Sequence, residues 1–298
     1  MLIANPRAGS VSRLKKEVIV KALAADFKLE VEDTEAREHA TEIAEDAVDR
    51  DFDAVVALGG DGTINEVAQP LVGTEVALGV LPGGSTNVMA RALGIPLDPV
   101  EATAFLSDHL RTQRRRRIGV GCMNERYFLF SCGIGLDAEV VRRVEETAAR
   151  SGRKSQWTFV RHALAAASTE YRTNDQWLSV QVEEEEPFRG VLGIVCNGWP
   201  FTYFKRFPVD ACPQASLDGA LDLLVLRNVR TLTIPHIIWS LFVSRSHIGW
   251  RKARYFHDLK RVRWETDEPH PAQVDGDHIG LAAVADIVHR PDALDLLA

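Results

Sequence analysis

Two short strings combine glycine, carboxylate and hydroxyl in places where a folded chain could hold an anion. Gly59-Gly60-Asp61-Gly62-Thr63 follows the apolar run Ala54-Val55-Val56-Ala57-Leu58, and Pro82-Gly83-Gly84-Ser85 follows the apolar run 76–81. Glycines between a buried strand and a helix let a ligand approach the backbone, and the helix start offers unpaired N–H groups at the positive end of its dipole. The chemistry this suits is phosphate binding. Asp61 sits inside the first string, and a carboxylate facing phosphate calls for a cation between them, so Mg²⁺ is expected there. A plain strand-to-helix turn capped by Asp61 is the competing reading.

The elements that would position these turns are legible as periodicity. Residues 2–4 form a strand stub, Asn5-Pro6-Arg7-Ala8-Gly9-Ser10 a turn, and a helix follows to about Ala25. Ile43, Ala44, Ala47 and Val48 make one helical stripe before the strand at 54–58, and the helix opening at the first glycine turn is expected to stop at Pro70. Asp98-Pro99-Val100-Glu101 sets an N-cap carboxylate, a first-turn proline and an acid three residues on, which predicts a helix start. Short apolar strands alternating with helices imply a mostly parallel sheet, whose carboxyl edge is where open α/β sheets bind ligands. Near Arg111 the pattern changes. Arg114-Arg115-Arg116-Arg117 is read as a solvated linker face, and the chain beyond is β-rich apart from a helical stretch over about 138–171.

Composition excludes several classes. The 298 residues suit two domains, and 42 acidic against 35 basic residues give a net charge of -7, which disfavours a general nucleic-acid binder because phosphate neutralisation needs surplus cations. Cys122, Cys132, Cys196 and Cys212 lack C-x-x-C or zinc-finger spacing and are expected as buried free thiols. The first residues lack a secretory pattern, and the apolar run 232–243 falls short of the ~20 residues a membrane span needs, so a cytoplasmic protein is expected. No Walker or protein-kinase signature occurs. Gly133-Ile134-Gly135-Leu136-Asp137-Ala138 fits the loose dinucleotide fingerprint, but residues 151–154 supply no ribose-binding acid, so the glycines are read as shaping a wall and Asp137 as capping a helix.

Taken in order, five motifs resemble the diacylglycerol kinase catalytic-domain family, which includes bacterial lipid kinases and sphingosine kinases. They are Asn5-Pro6-Arg7-Ala8-Gly9 with Gly59-Gly60-Asp61-Gly62-Thr63-Ile64-Asn65-Glu66; Leu81-Pro82-Gly83-Gly84-Ser85-Thr86-Asn87; the Gly133 string; Asp210-Ala211-Cys212-Pro213-Gln214-Ala215-Ser216-Leu217-Asp218-Gly219-Ala220-Leu221-Asp222; and Gln273-Val274-Asp275-Gly276-Asp277. The resemblance implies an α/β, Rossmann-like nucleotide-binding domain over 1–117, a β-sandwich domain over 118–283 on the lipid-binding side, and a tail from about 284 to 298 returning to the first. It further implies ATP at Asn5, Thr34, Gly60, Asp61, Gly62, Thr63, Asn65, Glu66, Gly84, Ser85 and Asn87, and Mg²⁺ at Asp218 with the carbonyls of Ala215 and Ala220. Asp61 and Asp277 would be catalytic, Asp277 as the base for the lipid hydroxyl.

This sequence departs from the family in places. Asp277 stands where the family carries the glutamate of its D-G-E motif, one methylene shorter than a base that must come within ~2.6–3.2 Å of its proton. Asp275 or a water is the expected helper, and a mere turn cap is the competing reading. Val88 replaces an aspartate common after Asn87, and the first strand is short enough that the start is expected to lack a few residues. A local membrane-contact element is also expected. The apolar run and the cations after it put Trp239, Trp250, Arg251 and Lys252 together, as interfacial segments do, with a core helix followed by a basic strand as the alternative.

The expected activity is therefore ATP- and Mg²⁺-dependent phosphorylation of a lipid hydroxyl, diacylglycerol to phosphatidic acid, by a cytoplasmic, peripherally membrane-associated kinase; a homodimer is left open. Phosphoryl transfer needs positioning and charge neutralisation and no covalent enzyme intermediate. The alternatives are a small-molecule kinase of the NAD kinase type, which shares the GGDG string, and a decayed nucleotide- or lipid-binding module.

Overall fold

The computed structural model describes residues 1–151, 161–162, 165, 177–229 and 233–298, with the side chains of 148–151 left aside. The expected helical stretch is described as a helix over Leu136–Ser151, and the rest of it falls largely outside the described residues. The chain forms two compact units, Met1–Gly119 with Pro291–Ala298, and Val120–Arg290.

In the first unit four parallel strands, β1 (Leu2–Ala4), β2 (Val31–Asp33), β3 (Ala54–Gly59) and β4 (Ala77–Pro82), lie in the order β2, β1, β3, β4. The C-terminal strand adds beside β4, Leu296 opposite Leu78. Every residue of β3 and β4 is buried, the mark of strands covered on both faces, and this is why they read as unbroken apolar runs. The helices are α1 (Arg13–Ala24), α2 (His39–Asp49), α3 (Asp61–Leu71), α4 (Val88–Ala92) and α5 (Pro99–Thr112). Ala40, Ile43, Ala44 and Ala47 are the buried stripe of α2. Asp98 caps α5 as expected, its carboxylate accepting from the N–H groups of Val100 and Glu101 with Pro99 in the first turn.

Two expectations need correcting. Pro70 does not stop α3 but lies inside its last turn. Proline leaves the carbonyl four residues back without its helical donor, and the Thr41 hydroxyl on α2 donates to that carbonyl, Glu66 O, at 3.0 Å. Arg114, Arg115 and Arg117 are exposed as expected, but the arginine run is not a linker. β5 (Arg116–Met123) begins within it, Arg115 donates to Glu75 O at 2.7 Å, and Arg115 and Arg117 lie 3.8 and 3.6 Å from the Asp295 carboxylate.

The second unit is built mainly of antiparallel strands: β6 (Arg126–Phe128), β7 (Ser131–Gly135), β8 (Leu178–Val182), β9 (Phe188–Gly190), β10 (Leu192–Cys196), β11 (Thr202–Phe204), β12 (Phe207–Val209), β13 (Leu221–Leu226), β14 (Ala253–Leu259), β15 (Arg261–Val274) and β16 (Asp277–Leu296), with α6 (Leu136–Ser151) and a short α7 (Ile234–Trp239). Hydrogen-bonded neighbours run β14, β13, β10, β7, β15, β16, and β5 and β16 carry the chain between the units. Alternate residues of β13 serve two cores. Leu221, Leu223 and Val225 join Trp264 and Phe128, whereas Leu224 and Leu226 join Ile194 and Ala211. All four cysteines are free and buried, and burial raises the thiol pKa of Cys132 and Cys212. Among the described residues no helix is long and apolar enough to cross a membrane.

Candidate active site

In the first unit the chain runs from β1 to β2 on one side and then returns to β3 on the other, so the order reverses between β1 and β3. Such a reversal opens a crevice at the carboxyl ends of the strands. Asn5 leaves β1 there, its N–H donating to Leu58 O at 2.9 Å, and Thr34 leaves β2, its N–H donating to Ala4 O at 2.9 Å. The Asn5 side chain spans the crevice, Nδ2 donating to Thr63 Oγ1 at 3.0 Å. Gly60 occupies the N-cap of α3 in extended conformation and, as a glycine, makes no side-chain cap bond of its own.

The two glycine turns pack backbone to backbone. A Cβ on Gly84 would lie 2.7 Å from Gly60 Cα, and one on Gly83 would lie 3.1 Å from Gly59 Cα and 3.2 Å from Ala8 Cβ, so side chains are excluded by contact. Gly83 N–H donates to Gly59 O at 2.7 Å, and Ser10 N–H to Gly83 O at 3.1 Å, which draws the 5–10 loop onto the same edge. Asn87, at φ 51°, uses its whole amide on Gly84: Oδ1 accepts from Gly84 N at 2.8 Å and Nδ2 donates to Gly84 O at 2.9 Å. Its role here is to shape the second turn. Asp61 is half-buried, with Oδ1 3.4 Å from Met89 N; Ser85 is exposed. Asn65 is buried, its Oδ1 accepting from Gln69, and Glu66 is half-buried.

In the second unit Asp275 and Gly276 both have positive φ, 47° and 82°, and join β15 to β16 with Val274 opposite Asp277. This is the two-residue hairpin that Asp-Gly favours. Asp277 is the first residue of β16 and half-buried. The Asp275 carboxylate accepts from Leu129 N, Phe130 N and Ser131 N at 2.7, 2.9 and 2.9 Å, so it anchors the hairpin to the β6–β7 link. That corrects its expected part as a helper base. Asp137 also differs from expectation. It lies inside the first turn of α6, and its Oδ2 accepts from Gln273 Nε2 at 2.7 Å while Gln273 Oε1 accepts from Gly276 N at 2.8 Å. Burial pushes the Asp137 carboxyl up to about 6, opposed by the Gln273 bond. Sequence reading misses this residue as a proton-transfer candidate. The Gly133 string draws attention to it, but the Gln273 partner stands 136 residues away.

The Asp210 motif forms a turn ahead of β13. Asp218 is exposed, with its N–H 3.3 Å from Ser216 Oγ, and Gly219 N–H donates to Ser216 O at 2.9 Å. Asp222, fully buried, accepts from Tyr255 OH, from His257 Nδ1 at 2.7 Å and from Asp258 N at 3.3 Å. Asp258 in turn accepts from Ala220 N at 3.1 Å, which steadies the turn from β14. A carboxylate with two backbone carbonyls is a hard oxygen donor set, and Asp218 with Ala215 and Ala220 fits Mg²⁺ on that ground. Of the membrane candidates, Trp239, Arg251 and Lys252 are exposed, but Trp250 is half-buried against the core and stacks on His236 at 4.7 Å.

Residues 1–123 match the model of the diacylglycerol kinase catalytic domain, and residues 131–298 match that of the YegS C-terminal NAD kinase beta sandwich-like domain. A diacylglycerol kinase of Bacillus subtilis (strain 168) is 37% identical over 292 residues, covering 94% of this chain and 90% of the relative. Three solved chains from Bacillus anthracis str. Sterne superpose with TM-scores of 0.77, 0.72 and 0.69 at 24, 22 and 21% identity, covering 99% of this chain and 93, 95 and 95% of theirs. An NAD kinase from Archaeoglobus fulgidus, solved in complex with ATP, gives a TM-score of 0.53 at 13% identity over 100% of this chain and 92% of that one. At these identities the structural likenesses establish the fold, an α/β unit with a β-sandwich-like second unit.

Proposed function

The chain belongs to the diacylglycerol kinase catalytic-domain family and is a phosphotransferase with an alcohol acceptor, and from that premise we propose that it transfers a phosphoryl group from ATP, with Mg²⁺, to the hydroxyl of diacylglycerol. The observation that carries this reading is the convergence of both glycine turns and Asn5 at the β1/β3 reversal, beside the N-terminus of α3. Backbone N–H groups there suit phosphate, and fixed donors stabilise a transferring phosphoryl group without reorganising. Asn5, Thr34, residues 60–66 and 84–85 hold the nucleotide, and Asn87 keeps the second turn in shape. Asp61 and Asp218, the latter with the Ala215 and Ala220 carbonyls, are the Mg²⁺ residues. Bound Mg²⁺ neutralises charge on the phosphate oxygens.

Asp277 accepts the hydroxyl proton. Asp137 is the second candidate for that base, because a carboxyl at about 6 is ionised near neutral pH yet basic enough to take a proton. Trp239, Arg251 and Lys252 give the protein a peripheral hold on the membrane that carries its substrate.

The test is phosphate transfer from ATP in mixed micelles containing diacylglycerol, ceramide, sphingosine or monoacylglycerol, with Asp61→Ala, Asp277→Ala and Asp137→Asn beside wild type. Transfer to diacylglycerol that Asp61→Ala and Asp277→Ala abolish is expected. Transfer surviving Asp277→Ala but lost in Asp137→Asn would move the base to Asp137. No transfer to any lipid, with ATP still bound, would overturn the proposal in favour of a small-molecule acceptor.

A further inference from the structure

The exposed apolar side chains of the second unit are unevenly distributed. Among the described residues, twelve large hydrophobic side chains are exposed, and five of them, Phe207, Ile238, Trp239, Val243 and Ile248, fall within two segments, 199–209 and 233–252. These segments make up roughly a tenth of the chain. They also contain five cations, Lys205, Arg206, Arg245, Arg251 and Lys252, and no aspartate or glutamate, in a protein whose net charge is -7.

The two segments are fastened together. The first is the β11–β12 hairpin, whose tip is 205–206, and the second is α7 followed by a π-helical turn, Ser240–Ser244, and a 3₁₀ turn, Ser246–Gly249. The Phe204 ring meets the Phe242 ring edge-on at 6.2 Å, and Asp210 N–H, just past the hairpin, donates to Leu241 O at 2.7 Å. Buried Asp210 accepts from Arg245 Nε at 2.6 Å and from Trp199 Nε1 at 2.5 Å. His247, also buried, donates from Nε2 to Ala211 O at 2.9 Å. Exposed apolar groups and cations are therefore presented by a braced pair of elements.

Building on the lipid-kinase reading, we propose that the hairpin tip 205–207 and the segment 234–252 form one docking surface for a bilayer bearing anionic phospholipid. Isolated exposed apolar residues are ordinary, but an apolar cluster flanked by Lys205, Arg206, Arg251 and Lys252, with Arg245 tied to the buried Asp210 carboxylate, matches the acyl–headgroup boundary of an anionic leaflet. The long cationic side chains can keep their charge at headgroup level while Phe207 and Trp239 enter the interface. Local positive charge is also what a net acidic protein needs to approach such a surface, since the rest of its field is repelled.

The experiment is co-sedimentation of the full chain with vesicles of phosphatidylcholine alone or mixed with phosphatidylserine, for wild type, Phe207→Asp, Lys205→Glu/Arg206→Glu, and Leu281→Asp, an exposed apolar site outside the surface. Wild type should bind the mixed vesicles and be released by salt, both surface variants should lose about tenfold or more in partition, and Leu281→Asp should match wild type. Tryptophan fluorescence melts confirm that each variant is folded. Equal binding to neutral and mixed vesicles, retention by both surface variants, or no vesicle binding by wild type would each overturn the proposal, the last transferring the surface to a protein partner. The partition needs neither ATP nor turnover, so its failure is separable from a failure of the kinase reading.

Discussion

Asp137→Asn tests the electrostatics of the second unit through stability as well as activity. The fold raises this carboxyl from 3.8 to about 6. Between those values the folded chain holds a proton that the unfolded chain has released, so the group's stabilising contribution is complete below 3.8 and is lost as pH rises through about 6. A rise of that size costs about 3 kcal/mol at neutral pH, of which about 1 kcal/mol is already felt near pH 4.5. Asparagine cannot ionise, and it keeps an oxygen to accept from Gln273 Nε2. Relative to wild type, Asp137→Asn should therefore gain about 2 kcal/mol between roughly pH 4.5 and pH 7.5, the half-exposed position making this an upper figure. The assay is urea unfolding at the two pH values followed by tryptophan fluorescence. All six tryptophans fall in the sequence span Val120–Arg290, and the five described ones, Trp177, Trp199, Trp239, Trp250 and Trp264, belong to the second unit, so the signal reports the unit that contains Asp137. A stability difference between variant and wild type that does not change with pH would refute the reasoning.

Four further outcomes follow from named contacts. Gly84→Ala places a Cβ 2.7 Å from Gly60 Cα, where backbone has to move; kcat/KM for ATP should fall by about a hundredfold, read in steady-state assays. Thr41→Val leaves the Glu66 carbonyl without the donor that compensates for Pro70, and chemical denaturation should show a loss of about 1–2 kcal/mol. In Asp275→Asn an amide NH₂ replaces one of the oxygens facing three N–H groups, which should cost about 2–3 kcal/mol and lower Tm. Asp277→Glu should leave phosphate transfer within about tenfold of wild type, whereas a much larger gain would mark a decayed site that the family residue restores.

The elements that build the glycine-turn edge are written locally. Unbroken apolar runs at 54–58 and 76–81, each ending in glycine, give β3, β4 and the turns after them, because a strand buried on both faces has no polar alternation to keep. The Asp98-Pro99 cap and the stripe of α2 depend on neighbours within four residues and are equally visible. Pro70 misleads for the same reason. A proline is a local stop signal, and only the packing of α2 on α3 brings Thr41 to the carbonyl it frees.

The chemistry divides in the same way. Sequence alone determines the order of motifs, the identity of the family, and the need for glycine at the two turns, since each follows from residue type and short spacing. Tertiary structure decides what surrounds each carboxylate. Asp275 and Asp277 are separated by one glycine, yet one serves three backbone N–H groups while the other opens a strand. Asp137 resembles an ordinary helix-start acid until folding sets Gln273 against it and partly desolvates its carboxyl. Desolvation and hydrogen bonding depend on everything within a few ångströms, and the chain brings those atoms from positions more than a hundred residues apart.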